Sequence, residues 1–145
     1  MSRAELVEAF AGFPTRLGLA VGEAEAAGRR PAPGEWGPAE AVRHLIAVEA
    51  EVWWSRLAQL AAGEDPQWSW TEPGLAAGFD DAPVGAIVTA FATARATTVA
   101  TVRALDDEGW TRSGTHATYG RLDVEGLLRL AIDHDENHLS GLGRG

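Results

Sequence analysis

The sequence of 145 residues contains no cysteine and no lysine, and all 12 of its basic residues are arginine. The absence of cysteine excludes disulfides, thiolate metal ligands and a cysteine nucleophile supplied by the chain itself. A metal ion would therefore need nitrogen and oxygen ligands. A reaction that uses a thiol would have to take it from a small molecule.

Positive charge is also scarce, because 21 acidic residues against 12 basic ones give a net charge of -9. Nucleic acids and anionic membranes attract proteins through positive surface, so we expect neither as a partner. The chain has no uninterrupted apolar run of about 18 residues, and it does not open with the basic-then-apolar pattern of a secretory signal. These features predict a cytoplasmic protein that acts on a small molecule.

Apolar residues recur at helical spacing in four stretches, and no strand-like alternation competes with them. Ser2 and Glu5 predict a capping box at the start of the first helix, which Pro14 should kink or split. Length and pattern together predict a single domain over residues 1–145, folded as an all-α antiparallel four-helix bundle. The remaining predicted helices span residues 37–62, 81–105 and 123 to near the C-terminus.

Two long connections, 63–81 and 106–122, separate these helices, and connections of this length are often lids or binding loops. Trp53, Trp54, Trp68 and Trp70 lie in or near the first one. We interpret these tryptophans as core or dimer contacts in preference to a lid that stacks on substrate. A homodimer formed through bundle faces is a plausible assembly.

Three of the four histidines carry the strongest signal for chemistry. His134 and His138 are four residues apart on the apolar stripe of the last helix, so they lie one turn apart on the same face. His44 lies in the first turns of the second helix, and an antiparallel neighbour would bring its start beside the end of the last helix. Three neutral imidazoles would bind a divalent ion, zinc or nickel, and leave a coordination position open.

Two alternatives remain beside the metal site. The histidines could be hydrogen-bonded core residues, with Asp135 or Glu51 as partners. A zinc peptidase is disfavoured, because Glu136 in the sequence His-Asp-Glu-Asn-His is rotated about 200° from His134 and should face solvent. His116 lies in a polar stretch, where histidines are usually solvated, although it could line the mouth of a site.

The chain resembles the DinB-like, or YfiT-like, superfamily of metal-binding four-helix bundles. Residues 35–45 are similar to the tryptophan-led opening of the family's second helix, whose histidine is the first ligand. Residues 112–120 are similar to the loop before its last helix. Residues 134–139 are similar to its closing motif, which supplies two more ligands. The resemblance therefore implies His44, His134 and His138 as the metal ligands.

Related bundles include transferases and isomerases that depend on a small thiol such as bacillithiol or mycothiol. The resemblance thus implies a metal-dependent S-transferase that uses a low-molecular-weight thiol as cofactor. A metal-dependent hydrolase that activates water, or a bundle whose ion has no catalytic role, are the alternatives.

Several residues are candidates for supporting roles. Glu51 lies two helical turns after His44, so it is a candidate general base, and Glu49 is a weaker one. Arg112 and Arg121 flank the second connection and could bind a carboxylate of the thiol cofactor. We expect Asp135 to form a salt bridge or remain at the surface, although it could also orient an imidazole on a neighbouring helix.

Overall fold

The computed structural model describes residues 1–28 and 30–142. In this part of the chain, four long helical stretches form a bundle, as the spacing of apolar residues predicts. A short helix and three short strands lie in the connections. The elements are α1 (Arg3–Ala26), α2 (Pro38–Val48), a π-helical segment (Glu49–Trp54), α3 (Ser55–Ala61), β1 (Gln67–Trp68), α4 (Val84–Arg103), α5 (Asp107–Thr111), β2 (Ser113–His116), β3 (Gly120–Asp123) and α6 (Val124–Leu142).

The first helix begins at the predicted capping box. The Glu5 amide donates to Ser2 Oγ, and the Ser2 amide donates to Glu5 Oε1, each at 3.1 Å. The helix continues through Pro14 and is not split there. Because proline has no N–H, the Phe10 carbonyl one turn earlier lacks its helical donor. Arg95 Nη1 donates to that oxygen instead, at 2.8 Å, so a tertiary contact compensates for the proline.

The second long helix is continuous from residue 38 to residue 61 but changes its winding in the middle. Pro38 occupies its first turn, as predicted, and Gly37 precedes it without a side-chain cap. Residues Glu49–Trp54 wind as a π-helix, whose turns hold more residues than α-helical turns. The wider turns change the faces on which the side chains lie, and they leave Glu49 buried and Glu51 exposed.

The two long connections contribute to one three-stranded sheet, in the order β1-β2-β3. β1 is parallel to β2, and β2 is antiparallel to β3. The prediction of an all-α fold is therefore wrong in this part. The sequence did not indicate the strands because strands of 2 and 4 residues are too short to give a periodic pattern. Gly114 permits the close approach of β1, since a Cβ at that position would lie 2.7 Å from the Trp68 ring.

The core consists of two apolar clusters, and the buried Arg95 contacts aromatic rings in both. Arg95 lies 3.9 Å from the ring centroid of Phe10, in the first cluster, and 5.1 Å from that of Phe91, in the second. The first cluster contains Leu6, Phe10, Val48, Trp53, Leu57, Leu60, Leu127 and Leu128 among others, and the second contains Phe13, Leu17, Val21, Val42, Leu45, Ile87 and Phe91.

The fourth helix, α4, is long and apolar enough to cross a membrane when only its length and composition are considered. In the structure it packs against both α1 and α2. Its inner face contributes Ile87, Phe91 and Val102 to the core, and Arg95 at its centre is buried with carboxylate partners. These contacts are typical of a bundle helix that buries one face.

Candidate metal centre

Three histidines from two helices meet at one end of the bundle. His44 extends from the first turns of α2, and His134 and His138 extend from the last turns of α6. Their ring centroids are 4.5 to 6.3 Å apart. One ring nitrogen of each histidine lies within 4.8 Å of the other two. The structure therefore brings together the three residues that the sequence predicts as metal ligands.

The orientation of His44 is fixed on one side of its ring. Its Nδ1 lies 3.2 Å from the carbonyl oxygen of Gly74, which can only accept a hydrogen bond, so Nδ1 carries the proton. In the neutral ring Nε2 is then an acceptor without a proton, and it is buried without a hydrogen-bond partner in the described part of the chain. A ligating histidine is typically held in this way, by its second nitrogen on a backbone carbonyl.

The protonation states also suit a cation. Burial, followed by the neighbouring His138 and His44, lowers the pKa of His134 to about 4. Burial and His44 likewise lower the pKa of His138. Both rings are thus neutral at neutral pH, and Nδ1 of His134 is another buried nitrogen with no partner among the described residues. A set of neutral nitrogens with unused lone pairs fits a divalent metal ion.

A carboxylate that sequence reasoning missed lies beside the histidines. Glu72, in the connection after α3, places Oε1 3.3 Å from His44 Nε2, although the two atoms are not aligned as a hydrogen bond. Trp70 Nε1 donates to its other oxygen, Oε2, at 2.8 Å. The Glu72 side chain is 65% exposed, so it is accessible from solvent. The signal in the sequence is its position inside a long connection, of a length that is typical of lids or binding loops.

A cavity of about 560 Å³ opens beside His134. Trp53 and Trp70 form aromatic walls, and Arg56 and His116 contribute polar groups. His116 is buried, so the expectation of a solvated loop histidine is wrong, and its side chain lines the cavity beside His134. Of the four candidate tryptophans, Trp53 and Trp68 are in the core.

The acidic candidates lie apart from the three ligating nitrogens. Glu51 is exposed and lines a different surface depression, so the expected alignment with His44 is lost at the π-helical segment. Its predicted role as a general base has no support from this position. Glu49 and Asp135 are buried and both bind Arg95, so the salt bridge predicted for Asp135 is confirmed, although it is in the core and not at the surface.

The two arginines proposed for cofactor binding also lie elsewhere. Arg112 Nη1 donates to the carbonyls of Leu60 and Ala61 at the end of α3, at 3.3 and 2.9 Å. Arg121 pairs with Asp65 at 3.0 Å and also donates to side chains of the sheet. Neither arginine lines the cavity beside His134. Their side chains stabilise the connections, and Arg56 is the arginine that faces the candidate site.

Comparison with known proteins identifies the family and the fold of the chain. The sequence model of the DinB superfamily matches residues 2–141. No curated protein matches the chain in sequence. Among solved structures, YfiT from Bacillus subtilis is similar with a TM-score of 0.73 and 18% identity, over 99% of this chain and 89% of that one. YfiT is described as a probable metal-dependent hydrolase with an unusual four-helix bundle topology, and the likeness at this identity shows a shared fold.

Proposed function

Because the chain belongs to the DinB superfamily, we propose that it is a metal-dependent enzyme in which His44, His134 and His138 hold one divalent ion, zinc or nickel. The observation that carries the proposal is the buried Nε2 of His44, which has a fixed orientation and no hydrogen-bond partner in the described structure. A core histidine would leave that atom unsatisfied at a cost of about 1–3 kcal/mol. A cation removes the cost.

The divalent ion, when bound, would act as a Lewis acid that lowers the pKa of a thiol or water molecule entering the site. The chain's own residues supply orientation and proton transfer. Gly74 holds the His44 ring through its carbonyl, and Trp70 holds one oxygen of Glu72. The other Glu72 oxygen, Oε1, is positioned to accept the proton of the incoming nucleophile.

The favoured reaction is transfer of a small thiol to an electrophilic substrate. The sulfur forms a bond to an electrophilic carbon, the leaving group departs with its electron pair, and Glu72 takes the thiol proton. The chain has no cysteine, so the thiol must come from a small molecule such as bacillithiol or mycothiol. The cavity of about 560 Å³ beside His134 offers room for a small molecule.

The second candidate is a metal-dependent hydrolase. In that reaction a water molecule occupies the position of the thiol, and Glu72 accepts its proton. The observation that favours it is the described function of the similar structure, YfiT from Bacillus subtilis. Both reactions use the same residues, so only the nucleophile distinguishes them.

The test is to load the purified protein with zinc or nickel and to assay conjugation of an electrophile with bacillithiol, mycothiol or glutathione. We expect turnover that requires both metal and thiol. Turnover without thiol would identify the hydrolase. Absence of turnover under all conditions, in protein that retains its metal, would contradict the enzymatic proposal.

The role of Glu72 is tested with Glu72→Gln, which keeps the shape and the acceptor of the Trp70 N–H but removes the charge. We expect a loss of turnover of about 10²- to 10⁴-fold with unchanged metal content, as is typical for removal of a general base. A variant that keeps full activity would show that the proton leaves by another route.

A further inference from the structure

Arg56 is a buried arginine that lacks the partner such a residue normally has. Its exposed fraction is 6%, and in residues 1–28 and 30–142 its one hydrogen bond runs from Nη2 to the Ser69 carbonyl at 3.3 Å. No carboxylate of the described chain pairs with it, and burial lowers the pKa of its guanidinium. Arginine keeps its charge in proteins, and burying an unpaired charge is costly. The guanidinium therefore has unused capacity to bind an anion.

Arg95 shows what a fully paired buried arginine looks like in the same molecule. It has two carboxylate partners, Glu49 and Asp135, and also donates to a backbone carbonyl. Arg56, by contrast, lines both the cavity beside His134 and the depression that contains Glu51, and its guanidinium lies 5.4 Å from the centroid of the Trp68 ring. Its contacts with Ser69 and Trp68 belong to the depression that contains Glu51, whereas the cavity beside His134 offers it no partner in the described structure and contains His116 as well.

His116 supplies a second donor beside Arg56. It is 3% exposed, and its Nδ1 accepts hydrogen bonds from the amides of Thr118 and Tyr119 at 3.0 and 3.4 Å. Since Nδ1 is the acceptor, the proton of the neutral ring is on Nε2. Burial and the nearby charge of Arg56 lower the pKa of His116, so the ring stays neutral. Nε2–H is then a donor without an acceptor in the described structure.

Three aromatic residues also line the cavity, together with Thr118, Leu130 and Asn137. The ring centroids of Trp53 and Trp70 each lie 5.9 Å from that of His134, and Tyr119 packs on His116 at 4.9 Å. Asp133 is the acidic residue of the lining, and it is exposed. A flat, apolar group fits between such walls, while an anionic group on it can reach the buried donors.

We propose that this cavity binds a small planar acid, with its carboxylate on Arg56 and His116 and its ring between Trp53 and Trp70. Because His134 is part of the cavity wall, the other end of the molecule would face this one of the three histidines. The proposal deepens the proposed function, on which it rests for its catalytic meaning, by naming aromatic or similarly flat carboxylates as the substrate class. Binding itself requires no metal.

The test uses benzoate as the probe, with metal-free protein in the presence of a chelator at pH 7.5. Binding is followed through the indole N–H signals in nitrogen-15 NMR spectra. We expect the signals of Trp53 and Trp70 to shift, while that of Trp110, which does not line the cavity, stays in place. Benzamide, which is neutral and has the same shape, should bind about 10- to 100-fold more weakly, and acetate, which lacks the ring, should also bind more weakly than benzoate.

The matched variants are Arg56→Gln and Arg129→Gln, which remove the same charge from the cavity and from an exposed position on α6. We expect Arg56→Gln to weaken benzoate binding by about 10-fold or more and Arg129→Gln to leave it unchanged. Equal binding of benzoate and benzamide by the unaltered protein, or no benzoate binding at all, would overturn the proposal even if Arg56→Gln failed to fold.

The failure of the subsite and the failure of the proposed function are separate results. Benzoate binding that depends on Arg56, in a protein that takes up no metal, would support the carboxylate subsite and contradict the proposed metal-dependent enzyme. Metal uptake by the three histidines without any benzoate binding would support the metal site and contradict the carboxylate subsite.

Discussion

Two polar clusters lie in the same bundle, one around Arg95 and one formed by the three histidines, and they differ in whether their nitrogens are paired. In the Arg95 cluster the atom without a partner in the described structure is Glu49 Oε2, whose companion oxygen Oε1 accepts from Arg95. Arg95 donates four hydrogen bonds, to Glu49, to the Phe10 carbonyl and to both oxygens of Asp135, at 2.8 to 3.0 Å. In the histidine cluster, by contrast, buried nitrogens of His44 and His134 have no partner in the described structure.

The difference separates a structural cluster from a ligand site. A buried polar group that is satisfied within the chain needs nothing further, whereas one that is not satisfied costs free energy until a ligand arrives. His134 and Asp135 are neighbours in sequence, yet the helical rotation of about 100° per residue directs them to different clusters. One helix therefore serves both purposes with consecutive residues.

The largest effect should follow from breaking the paired cluster. Arg95→Met keeps an apolar side chain between the two core clusters but leaves Glu49 and Asp135 buried without a cation. We expect the free energy of unfolding to fall by about 3–5 kcal/mol, as for other buried ion pairs that lose one partner. Urea unfolding of the metal-free protein measures the change.

Two further variants serve as a control and as a test of the cause. Arg129→Gln removes an exposed arginine and should change the free energy of unfolding by no more than about 0.5 kcal/mol. Adding Glu49→Gln and Asp135→Asn to Arg95→Met removes the uncompensated charges and should restore part of the loss. An Arg95→Met protein as stable as the unaltered one would show that the cluster contributes nothing.

The next effect concerns the unpaired cluster. We expect His44→Ala, His134→Ala and His138→Ala each to abolish binding of a divalent ion, and His116→Ala to retain it. Elemental analysis and thermal unfolding with and without zinc measure this. A metal at 100 times its Kd should stabilise the unaltered protein by about 2.7 kcal/mol and the three variants by much less. Full metal content in His134→Ala would contradict the site.

The smallest effect is an increase of stability with pH that the histidine cluster should show. Because the pKa of His134 is lowered to about 4 from an unfolded value of 6.5, the folded metal-free protein binds fewer protons than the unfolded chain between these values. Stability contributed by His134 is therefore complete above pH 6.5 and lost as the pH falls toward 4.

The measurement is the difference between the unaltered protein and His134→Gln, in urea unfolding from pH 4 to 7.5. Burial raises the pKa of Asp135 to about 6, which gives a dependence of opposite sign, but it is present in both proteins and cancels in the difference. An identical pH dependence of the two proteins would mean that His134 is not desolvated.

Much of the fold could be predicted from the sequence because helical periodicity is a local property. The capping box of Ser2 and Glu5 and the start of the second helix at Pro38 follow from residues a few positions apart. The strands could not be predicted, since they are short and depend on the close approach of two distant connections at Gly114.

The candidate site, like the fold, could be predicted from the sequence only where it depends on helical spacing. The spacing of His134 and His138 on one helical face, together with His44 on a second helix, indicated the cluster that the structure brings together. Arg56 gave no sequence signal, and Glu72 gave only its position in a long connection, because an exposed loop glutamate and a helical arginine are ordinary residues until their surroundings are known.

The sequence by itself determined the helices, the absence of a cysteine nucleophile and the three imidazoles available for a cation. Only the tertiary structure decided which charged groups are paired. In the folded chain Glu49 and Asp135 pair with Arg95, and Glu51 lies on the outer face of the π-helical segment. Arg56 lines a cavity and has no carboxylate partner among the described residues. The reason is that the pairing of a buried charge depends on residues far apart in the chain, and local spacing contains no information about them.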